Sequence, residues 1–457
     1  MTIADSILYT ALKAIKIFIV LTPLRIALLF GRSMGLAAYI LLPSRRRLTE
    51  SNIRSAFPEE DEDWCRNTAR TVFLNFGRNT IELIKFSAGR LTDIVETGDM
   101  SIFDTGVVLM TGHLGNWEIT GMALAAAGKE LYPIGRRIHS PAFDRIVDDL
   151  RTKYGSHHIP YKGSIKEILR KIKNNKNLCV LIDQHMRSGI PCTFFGRPVW
   201  ATHITSVLHR KTGVDIVPSF SRHAGGRIKV DYGEPFYLEK EGDSLRADFI
   251  NTQRQMRWLE GKIREKPDEW FWLHNFWKYR WPAAFLDRDG TINMDYGYVS
   301  EIEKLEFIPG AIDAMRKLKK AGFMLIIITN QSGIARGLYT ERDFSKLNDY
   351  FLEKLESEGV FIDKVYYCAH HPDDDCHNRK PNPGMIEKAL SEFNIDTARS
   401  VVIGDKRSDI ELGSRLNIKT CMVMTGCGKE HVKDSSPDIV AQDLSEAAHL
   451  IIDEKKK

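Results

Sequence analysis

Hydrophobic positions follow a helical spacing up to about residue 90 and an alternation of strands and helices beyond it. In the first half, short apolar runs predict buried strands at 107–110, 178–182 and 215–219. From Ala283 onward, strands are predicted at 284–286, 324–328, 364–368 and 401–403, with helices at 311–321 and 344–358. Both halves are therefore predicted to be α/β, and the second to form a parallel sheet covered by helices.

The chain has 457 residues, enough for two domains, and we predict them at 1–281 and 282–457. Residues 1–282 hold 41 Lys/Arg against 30 Asp/Glu, and the remainder holds 24 against 30. A basic first half suits an anionic membrane surface or nucleic acid, but no nucleic-acid motif accompanies the charge, so no nucleic-acid partner is expected. Seven cysteines without a disulfide-like spacing indicate a reducing compartment.

Residues 1–45 are apolar but interrupted by basic residues, namely Lys13, Lys16, Arg25 and Arg32, and the segment closes on Arg45, Arg46 and Arg47. No run of about 18 uncharged apolar residues occurs, so a clean membrane span is disfavoured. We expect a membrane-associating helical segment that lies on or half-inserts into a membrane surface. A buried helical hairpin is the alternative.

Two carboxylates, Asp287 and Asp289, directly follow the predicted strand at 284–286. At the end of a parallel strand, one carboxylate can attack phosphorus while the other transfers a proton. Polar groups follow other strands of the same half: Thr329 and Asn330 can hold phosphate oxygens, and Lys380 can fix the nucleophile. Asp405 is a third strand-end carboxylate, the kind of oxygen ligand that Mg²⁺ prefers.

These residues resemble the haloacid dehalogenase (HAD) superfamily in its short-lidded phosphatase branch, and within it the heptose bisphosphate phosphatases. The supporting stretches are 285–293, 297–299, 329–337, 366–372 and 379–384. The resemblance implies a HAD-like Rossmannoid fold and a heptose bisphosphate substrate. Histidinol phosphate is the alternative substrate in this branch.

By that resemblance Asp287 is the nucleophile and Asp289 the general acid and base. Thr329 and Lys380 are phosphate-site residues, and Arg379 contacts the sugar phosphate. The resemblance also implies Mg²⁺ held by the carboxylates of Asp287 and Asp405 and by the backbone carbonyl of Asp289.

The same family carries a structural zinc loop of the form Cys-x-His followed by Cys-x-Cys. Cys368, His370 and Cys376 fit this pattern, but Asn378 stands where the last cysteine is expected. Asn is a poor zinc ligand beside thiolate and imidazole, so His377 or His371 could supply the fourth ligand. The alternative is a metal-free loop with ordinary thiols.

In the first half, His113 and Glu118 follow the predicted strand at 107–110. A histidine beside a carboxylate can deprotonate a hydroxyl, which can then attack an acyl thioester. The spacing alone is weak evidence, because three other His/acid pairs in the chain share it. His113, however, lies between Gly112 and Gly115 at a strand end.

Around this pair the sequence resembles the lipid A biosynthesis acyltransferase family over about 5–281. The matching stretches are 52–58, 111–118, 135–137, 181–184, 194–198, 216–218 and 270–280. The resemblance implies that His113 and Glu118 form the catalytic pair. Arg136 or Arg137 would meet a phosphate or the oxyanion, and Asp183 would sit in the acceptor pocket.

Together these features predict a bifunctional enzyme of lipopolysaccharide synthesis at the cytoplasmic face of the inner membrane. The expected partners are acyl carrier protein, a lipid A precursor, heptose bisphosphate and a membrane surface. One alternative is a catalytically silent first half that tethers the phosphatase to a membrane. Another is acylation of a different lipid.

Overall fold

The computed structural model describes residues 3–89, 92–135, 140–161, 164–184, 186 and 189–454. The chain divides into two compact units. The first comprises 1–189, 200–241 and 251–276, and the second comprises 190–199, 242–250 and 277–457. The domain boundary predicted between residues 281 and 282 lies close to the last change of unit, which falls between residues 276 and 277. Two short internal segments belong to the second unit as well, a division that no local sequence pattern indicates.

The first unit begins with helices α1 (Ile3–Leu21), α2 (Leu24–Leu41), α3 (Pro43–Ala56) and α4 (Glu62–Ser87). The α/β part follows with β1 (Val95–Thr97), β2 (Val108–Thr111), α5 (Trp117–Ala126), β3 (Leu131–Gly135), α6 (Pro141–Thr152), β4 (Ile159–Pro160), α7 (Ile165–Lys173) and β5 (Asn177–Leu181). Next along the chain come β6 (Ile190–Phe194), β7 (Arg197–Ala201), α8 (Ile204–Thr212), β8 (Ile216–Ala224), β9 (Arg227–Tyr232) and α9 (Ser244–Glu265). Of these, β6, most of β7 and the beginning of α9 belong to the second unit.

The sheet of the first unit has the strand order β1-β9-β8-β2-β5-β3-β4. Its pairs are parallel except for β8 with β9, which form an antiparallel hairpin. The central strands β2 and β5 are apolar and almost wholly buried, as expected for strands covered on both faces. The predicted strands at 107–110 and 178–182 are thus confirmed within one residue, whereas β8 extends well beyond the predicted 215–219.

Helix α2 packs on α4 through small residues. Ala27, Gly31 and Gly35 are the buried positions of α2. A Cβ on Gly35 would lie 2.2 Å from the carbonyl oxygen of Phe73, and one on Gly77 would lie 2.0 Å from that of Gly31. Glycine is therefore required at these positions, because the two backbones touch.

The other faces of α1 and α2 are apolar and exposed. Their exposed large side chains are Ile7, Leu8, Ile15, Ile17, Phe18, Leu21, Ile26, Leu29, Phe30, Met34, Ile40 and Leu41. Among the described residues, Leu24–Leu41 is the one helix long and apolar enough to cross a membrane, with a mean hydropathy of 1.5. The buried-hairpin alternative accounts for the small-residue face of α2 but leaves this apolar surface uncovered.

The second unit contains β10 (Ala283–Leu286), α10 (Ala311–Lys320), β11 (Met324–Asn330), α11 (Glu341–Ser357), β12 (Lys364–Cys368) and α12 (Gly384–Glu392). After these come β13 (Val401–Gly404), α13 (Arg407–Arg415), β14 (Lys419–Val423), α14 (Gly428–His431), β15 (Ile439–Ala441) and α15 (Leu444–Glu454). The strand order is β12-β11-β10-β13-β14-β15, and every pair is parallel. This confirms the predicted parallel α/β sheet, in which β10 is central.

Candidate active sites

In the second unit, the carboxyl ends of β10, β11 and β13 bring the predicted polar groups together. Asp287 follows β10 and Asp405 follows β13, and both are buried. Nζ of Lys380 donates to Oδ1 of Asp287 at 2.7 Å and to the carbonyl of Ile328 at 2.9 Å. The same ammonium lies 2.7 Å from Oδ1 of Asp409. One lysine therefore links two carboxylates that arrive from different strand ends.

Three carboxylates crowd this end of the sheet: one oxygen each of Asp287, Asp405 and Asp409 lies within 4.8 Å of the others. Oδ1 of Asp405 is buried and has no hydrogen-bond partner among the described residues. Burial, together with the charge of Asp287, raises the pKa of Asp405 to about 8. Hard oxygen donors with an unsatisfied atom fit a divalent cation such as Mg²⁺.

Glycines make room for this cluster. A Cβ on Gly290 would lie 2.4 Å from Oδ2 of Asp405, and one on Gly426 would lie 2.2 Å from the same atom. Both glycines have positive φ angles, +92° and +51°, which L side chains rarely adopt. Side chains at these two positions would therefore occupy the space around the Asp405 carboxylate.

Asp289 is held by three side chains on its own edge of the site. Nη2 of Arg288 donates to its Oδ2 at 2.9 Å, Nδ2 of Asn293 donates to its Oδ1 at 2.9 Å, and Nε2 of Gln331 donates to its Oδ2 at 2.9 Å. Its carboxylate lies outside the three-carboxylate group formed by the described residues. The third carboxylate of that group is Asp409, and the expected role of the Asp289 backbone carbonyl stays a prediction. Sequence reasoning did not assign Asp409 a role, although its position four residues after the strand-end Asp405 was a usable signal.

The other predicted phosphate-site residues have distinct surroundings. Thr329 is buried at the end of β11, and its Oγ1 accepts from Gln331 at 2.8 Å. The side chain of Asn330 fixes the backbone of Lys380, because it accepts from the backbone N–H of Lys380 and donates to its carbonyl oxygen. Arg379 donates from Nη1 to the carbonyl of His370 at 3.3 Å.

The predicted zinc residues Cys368, His370 and Cys376 converge, with one ligand atom of each within 4.8 Å of the others. Sγ of Cys368 lies 3.6 Å from Nδ1 of His370. Neither candidate for the fourth ligand joins this group in the part of the chain that the structure describes. Nε2 of His377 contacts Glu387 at 2.7 Å, and Nδ1 of His371 lies 3.2 Å from a carboxylate oxygen of Asp373.

In the first unit, His113 follows β2 and Asp183 follows the neighbouring strand β5. Nδ1 of His113 lies 2.9 Å from Oδ1 of Asp183, and the backbone N–H of His113 donates to Oδ2 at 2.7 Å. The indole N–H of Trp270 donates to the same Oδ2 at 2.9 Å. Burial alone would lower the pKa of His113, but the Asp183 carboxylate outweighs burial and raises it.

Glu118 makes a different ion pair. It lies in the first turn of α5 and accepts from Arg151 of α6 through both of its oxygens, at 2.8 and 2.5 Å. Burial opposes its ionisation, yet the Arg151 guanidinium holds the pKa of Glu118 below its ordinary value. Among the described residues, the direct partner of the His113 ring is therefore Asp183 and not Glu118, and the catalytic pairing of His113 with Glu118 stays a prediction. Asp183 makes that contact because β2 and β5 are adjacent in the sheet.

A second buried network supports the backbone after His113, and sequence reasoning missed it. Nε2 of His223 lies 2.9 Å from Oε1 of Glu82, and Asn116 donates to Oε2 of Glu82 at 3.1 Å. Asn79 donates to the carbonyl of Gly115 at 2.9 Å. These partners come from α4 and β8, far apart in sequence, so no local spacing could have indicated them.

Arg136 and Arg137, the predicted phosphate or oxyanion residues, lie outside the described residues.

A family model for bacterial lipid A biosynthesis acyltransferases matches residues 5–279, and one for HAD-hydrolase-like proteins matches residues 377–447. The C-terminal part is 45% identical over 178 residues to the D-glycero-beta-D-manno-heptose-1,7-bisphosphate 7-phosphatase of Yersinia pestis. That alignment covers 37% of this chain and 95% of the relative. The enzyme of the same name from Escherichia coli K12 is 44% identical over 183 residues, covering 38% of this chain and 96% of the relative.

The chain therefore belongs to the bacterial lipid A biosynthesis acyltransferase family, and its C-terminal part belongs to the family of these HAD-like heptose bisphosphate phosphatases. Among solved structures, the D,D-heptose 1,7-bisphosphate phosphatase of B. bronchiseptica, complexed with magnesium and phosphate, matches with a TM-score of 0.36 and 30% identity. That match covers 38% of this chain and 99% of the other.

Proposed function

We propose that the second unit hydrolyses a phosphate of D-glycero-D-manno-heptose 1,7-bisphosphate and that the first transfers an acyl chain to a lipid A precursor. The contact between Lys380 and Asp287, at the centre of three carboxylates, is the observation that carries the phosphatase assignment. The substrate class comes from the two relatives named above, because their alignments to this region cover 95–96% of each relative's length.

In this mechanism a carboxylate oxygen of Asp287 attacks phosphorus while the bond from phosphorus to the sugar oxygen breaks. Although burial opposes ionisation of Asp287, the Lys380 ammonium holds its pKa below the ordinary value, so the nucleophile is charged. Asp289 gives a proton to the leaving oxygen and then takes one from the water that attacks the phospho-aspartate. Inorganic phosphate leaves and the Asp287 carboxylate is regenerated.

Mg²⁺ would be held by Asp287 and Asp405, with the Asp289 carbonyl as the third expected ligand, and would neutralise charge on the transferred phosphoryl group. Asp409 is placed to hold Lys380 against Asp287. Thr329 offers a hydroxyl at the end of the neighbouring strand, where a phosphate oxygen can be held.

The phosphatase proposal is tested by giving the purified chain the α and β anomers of heptose 1,7-bisphosphate and following each phosphate by ³¹P NMR. Loss of one phosphate signal, absent with Asp287→Asn, supports it. Release from histidinol phosphate but from neither heptose anomer would move the assignment to the alternative substrate.

For the first unit, His113 is the general base. Its Nδ1 faces Asp183, which leaves Nε2 for the acceptor hydroxyl. The hydroxyl oxygen bonds to the acyl carbon, the carbon–sulfur bond of acyl carrier protein breaks, and the proton passes through His113 to the departing thiolate. Glu118 and Arg151 add a charged pair beside this centre, and Glu118 also raises the pKa of His113.

The acyl-transfer proposal is tested in detergent with acyl carrier protein bearing C12–C16 chains and a Kdo-bearing tetraacyl lipid A precursor. Product from the unmutated chain and none from His113→Ala supports it. No product at any chain length, with an active phosphatase in the same preparation, would favour another lipid acceptor or a tether without acyltransferase activity.

We also propose that the chain associates with the cytoplasmic face of the inner membrane through the exposed apolar side chains of α1 and α2. Ile17, Leu21, Leu29 and Leu41 are between 61% and 74% exposed, which is unusual for such residues on a folded surface. Because α2 packs on α4 by backbone contact, deletion of 1–45 would also damage the fold.

Substitution on the exposed face is the sharper test. Ile17→Glu with Leu29→Glu should abolish sedimentation with anionic lipid vesicles, whereas Ile165→Glu, an exposed apolar residue on α7, should not. Equal binding by all variants would contradict membrane association through this face.

Zinc in the C-terminal loop is a third proposal, supported by the converging Cys368, His370 and Cys376. Three soft or borderline ligands suit zinc but leave its fourth position to a water or a mobile side chain. Metal analysis should find one zinc per chain that Cys376→Ser removes, and Asn378→Cys should tighten its retention against a chelator. Equal zinc content in Cys376→Ser and the unmutated chain would contradict this.

A further inference from the structure

Gln331 lies between Asp289, the proposed proton-transfer residue of the phosphatase site, and Thr329, the proposed phosphate-binding residue. Its Nε2 donates to Oδ2 of Asp289 at 2.9 Å and to Oγ1 of Thr329 at 2.8 Å. Its Oε1 accepts from the hydroxyl of Tyr339 at 2.6 Å. The Gln331 amide nitrogen therefore hydrogen-bonds both Asp289 and Thr329, and Tyr339 hydrogen-bonds the amide oxygen.

This arrangement depends on which way the amide faces. An ionised Asp289 can only accept hydrogen bonds, so the nitrogen of Gln331 must point toward it. Rotation of the amide would place Oε1 against the carboxylate and repel it. The Tyr339 hydroxyl favours the productive orientation because it donates to Oε1 on the opposite side.

Tyr339 is built into the site. Its side chain is buried, and a Cβ on Gly333 would lie 2.2 Å from its Cε1 atom, so the ring rests against a backbone that has no room for a side chain. Burial raises the pKa of Tyr339 to about 12, so its hydroxyl keeps its proton at neutral pH. Gln331 is only 3% exposed, so water has little access to replace the hydroxyl.

We propose that Tyr339 is a positioning residue for the phosphatase reaction: by fixing the Gln331 amide, it holds the Asp289 side chain where its protonated form can give a proton to the leaving oxygen. The proposal rests on the proposed role of Asp289 as general acid. Loss of one buried hydrogen bond from the Tyr339 hydroxyl should cost about tenfold in the step that uses this proton.

The readout is the dependence of kcat/KM on the leaving group. A sugar oxygen needs the proton, whereas p-nitrophenolate leaves without one. Tyr339→Phe should lower kcat/KM for heptose 1,7-bisphosphate about tenfold and for p-nitrophenyl phosphate less than twofold. Asp289→Asn should show the same pattern with a larger loss, and adding Tyr339→Phe to it should have no further effect.

Tyr366→Phe is the matched control, because Tyr366 is also buried and its hydroxyl also donates to one side chain. That side chain is Glu392, at a distance of 2.9 Å, and it is not a residue of the proposed site. The Tyr366→Phe variant should leave both substrates unchanged, and thermal unfolding of the two tyrosine variants shows whether each remains folded. An equal loss on both substrates with Tyr339→Phe, or no loss on either, overturns the positioning role. If Asp289→Asn itself shows no dependence on the leaving group, the assignment of Asp289 as general acid fails, and this proposal fails with it.

Discussion

The two candidate sites of this chain each lie at the carboxyl ends of neighbouring parallel strands, and they arrange charge in opposite ways. In the first unit each carboxylate has its own partner: Asp183 faces His113, and Glu118 faces Arg151. In the second unit three carboxylates converge, and the Lys380 ammonium touches two of them. One site is balanced by pairs of side chains, and the other gathers more negative charge than its nearest lysine neutralises.

This difference indicates what each site is built to receive. A balanced pair can hold an imidazole ready to take a proton from a neutral hydroxyl. Crowded carboxylates, one with an unpaired buried oxygen, are costly unless a cation joins them. The raised pKa of Asp405, against the lowered pKa values of Asp183 and Glu118, reflects the same contrast.

The largest expected effect comes from removing divalent cations. Dialysis against EDTA should reduce phosphate release by at least about 10³-fold, because the carboxylate cluster loses the charge that stabilises the transferred phosphoryl group. Acyl transfer by the same sample should change less than twofold. Added Mg²⁺ should restore phosphate release. If the EDTA-treated enzyme still released phosphate at its full rate, the carboxylate cluster would not need a divalent cation, and the proposed difference between the two sites would be wrong.

The next effect tests the lysine. Lys380→Met should lower phosphate release about 10²-fold or more and destabilise the second unit by about 3–5 kcal/mol, since it leaves buried carboxylates without their cation. Denaturant unfolding and phosphate release measured on one preparation check both parts.

Lys319→Met is the matched control. Lys319 and Asp363 form an equally buried pair at 2.5 Å in the same unit, outside the carboxylate cluster. A similar loss of stability with retained activity is expected for this variant. Equal loss of activity in both lysine variants would mean that Lys380 acts through stability alone.

The smallest effect is a shift in pH dependence. Acyl transfer needs neutral His113, so its rate should rise with pH through an inflection above the ordinary imidazole value of 6.5. Because Asp183 raises the pKa of His113, Asp183→Asn should move that inflection to lower pH and lower the plateau several-fold. Glu118→Gln should move it in the same direction by less. If the inflection in the pH profile of kcat/KM moved to higher pH in Asp183→Asn, the assignment of Asp183 as the partner of His113 would be contradicted.

Much of the second unit could be predicted because its chemistry is local. Asp287 and Asp405 each follow a strand directly, Thr329 lies near the carboxyl end of β11, and parallel strands present these ends at one edge. The strand at 364–368 was predicted with its observed bounds. Asp409 was not predicted, although its position four residues after Asp405 was a usable signal. The contact of Tyr339 with Gln331 was not predicted because it depends on how the segment between β11 and α11 folds back on itself.

Less of the first site was accessible from sequence. His113 was found from its strand and flanking glycines, but its partner was assigned to the nearest carboxylate along the chain. The adjacency of β2 and β5, which sets the contact with Asp183, follows from strand order, and strand order is a tertiary property. Arg151 and His223 reach the site from α6 and β8 for the same reason.

We infer that one chain carries two independent catalytic centres. Acyl transfer and phosphate release should be assayed on the same preparations of the unmutated chain, His113→Ala and Asp287→Asn. We expect His113→Ala to lose acyl transfer at least about 10²-fold and to keep phosphate release, and Asp287→Asn to show the reverse. Loss of both activities in either variant, with the fold intact, would contradict it.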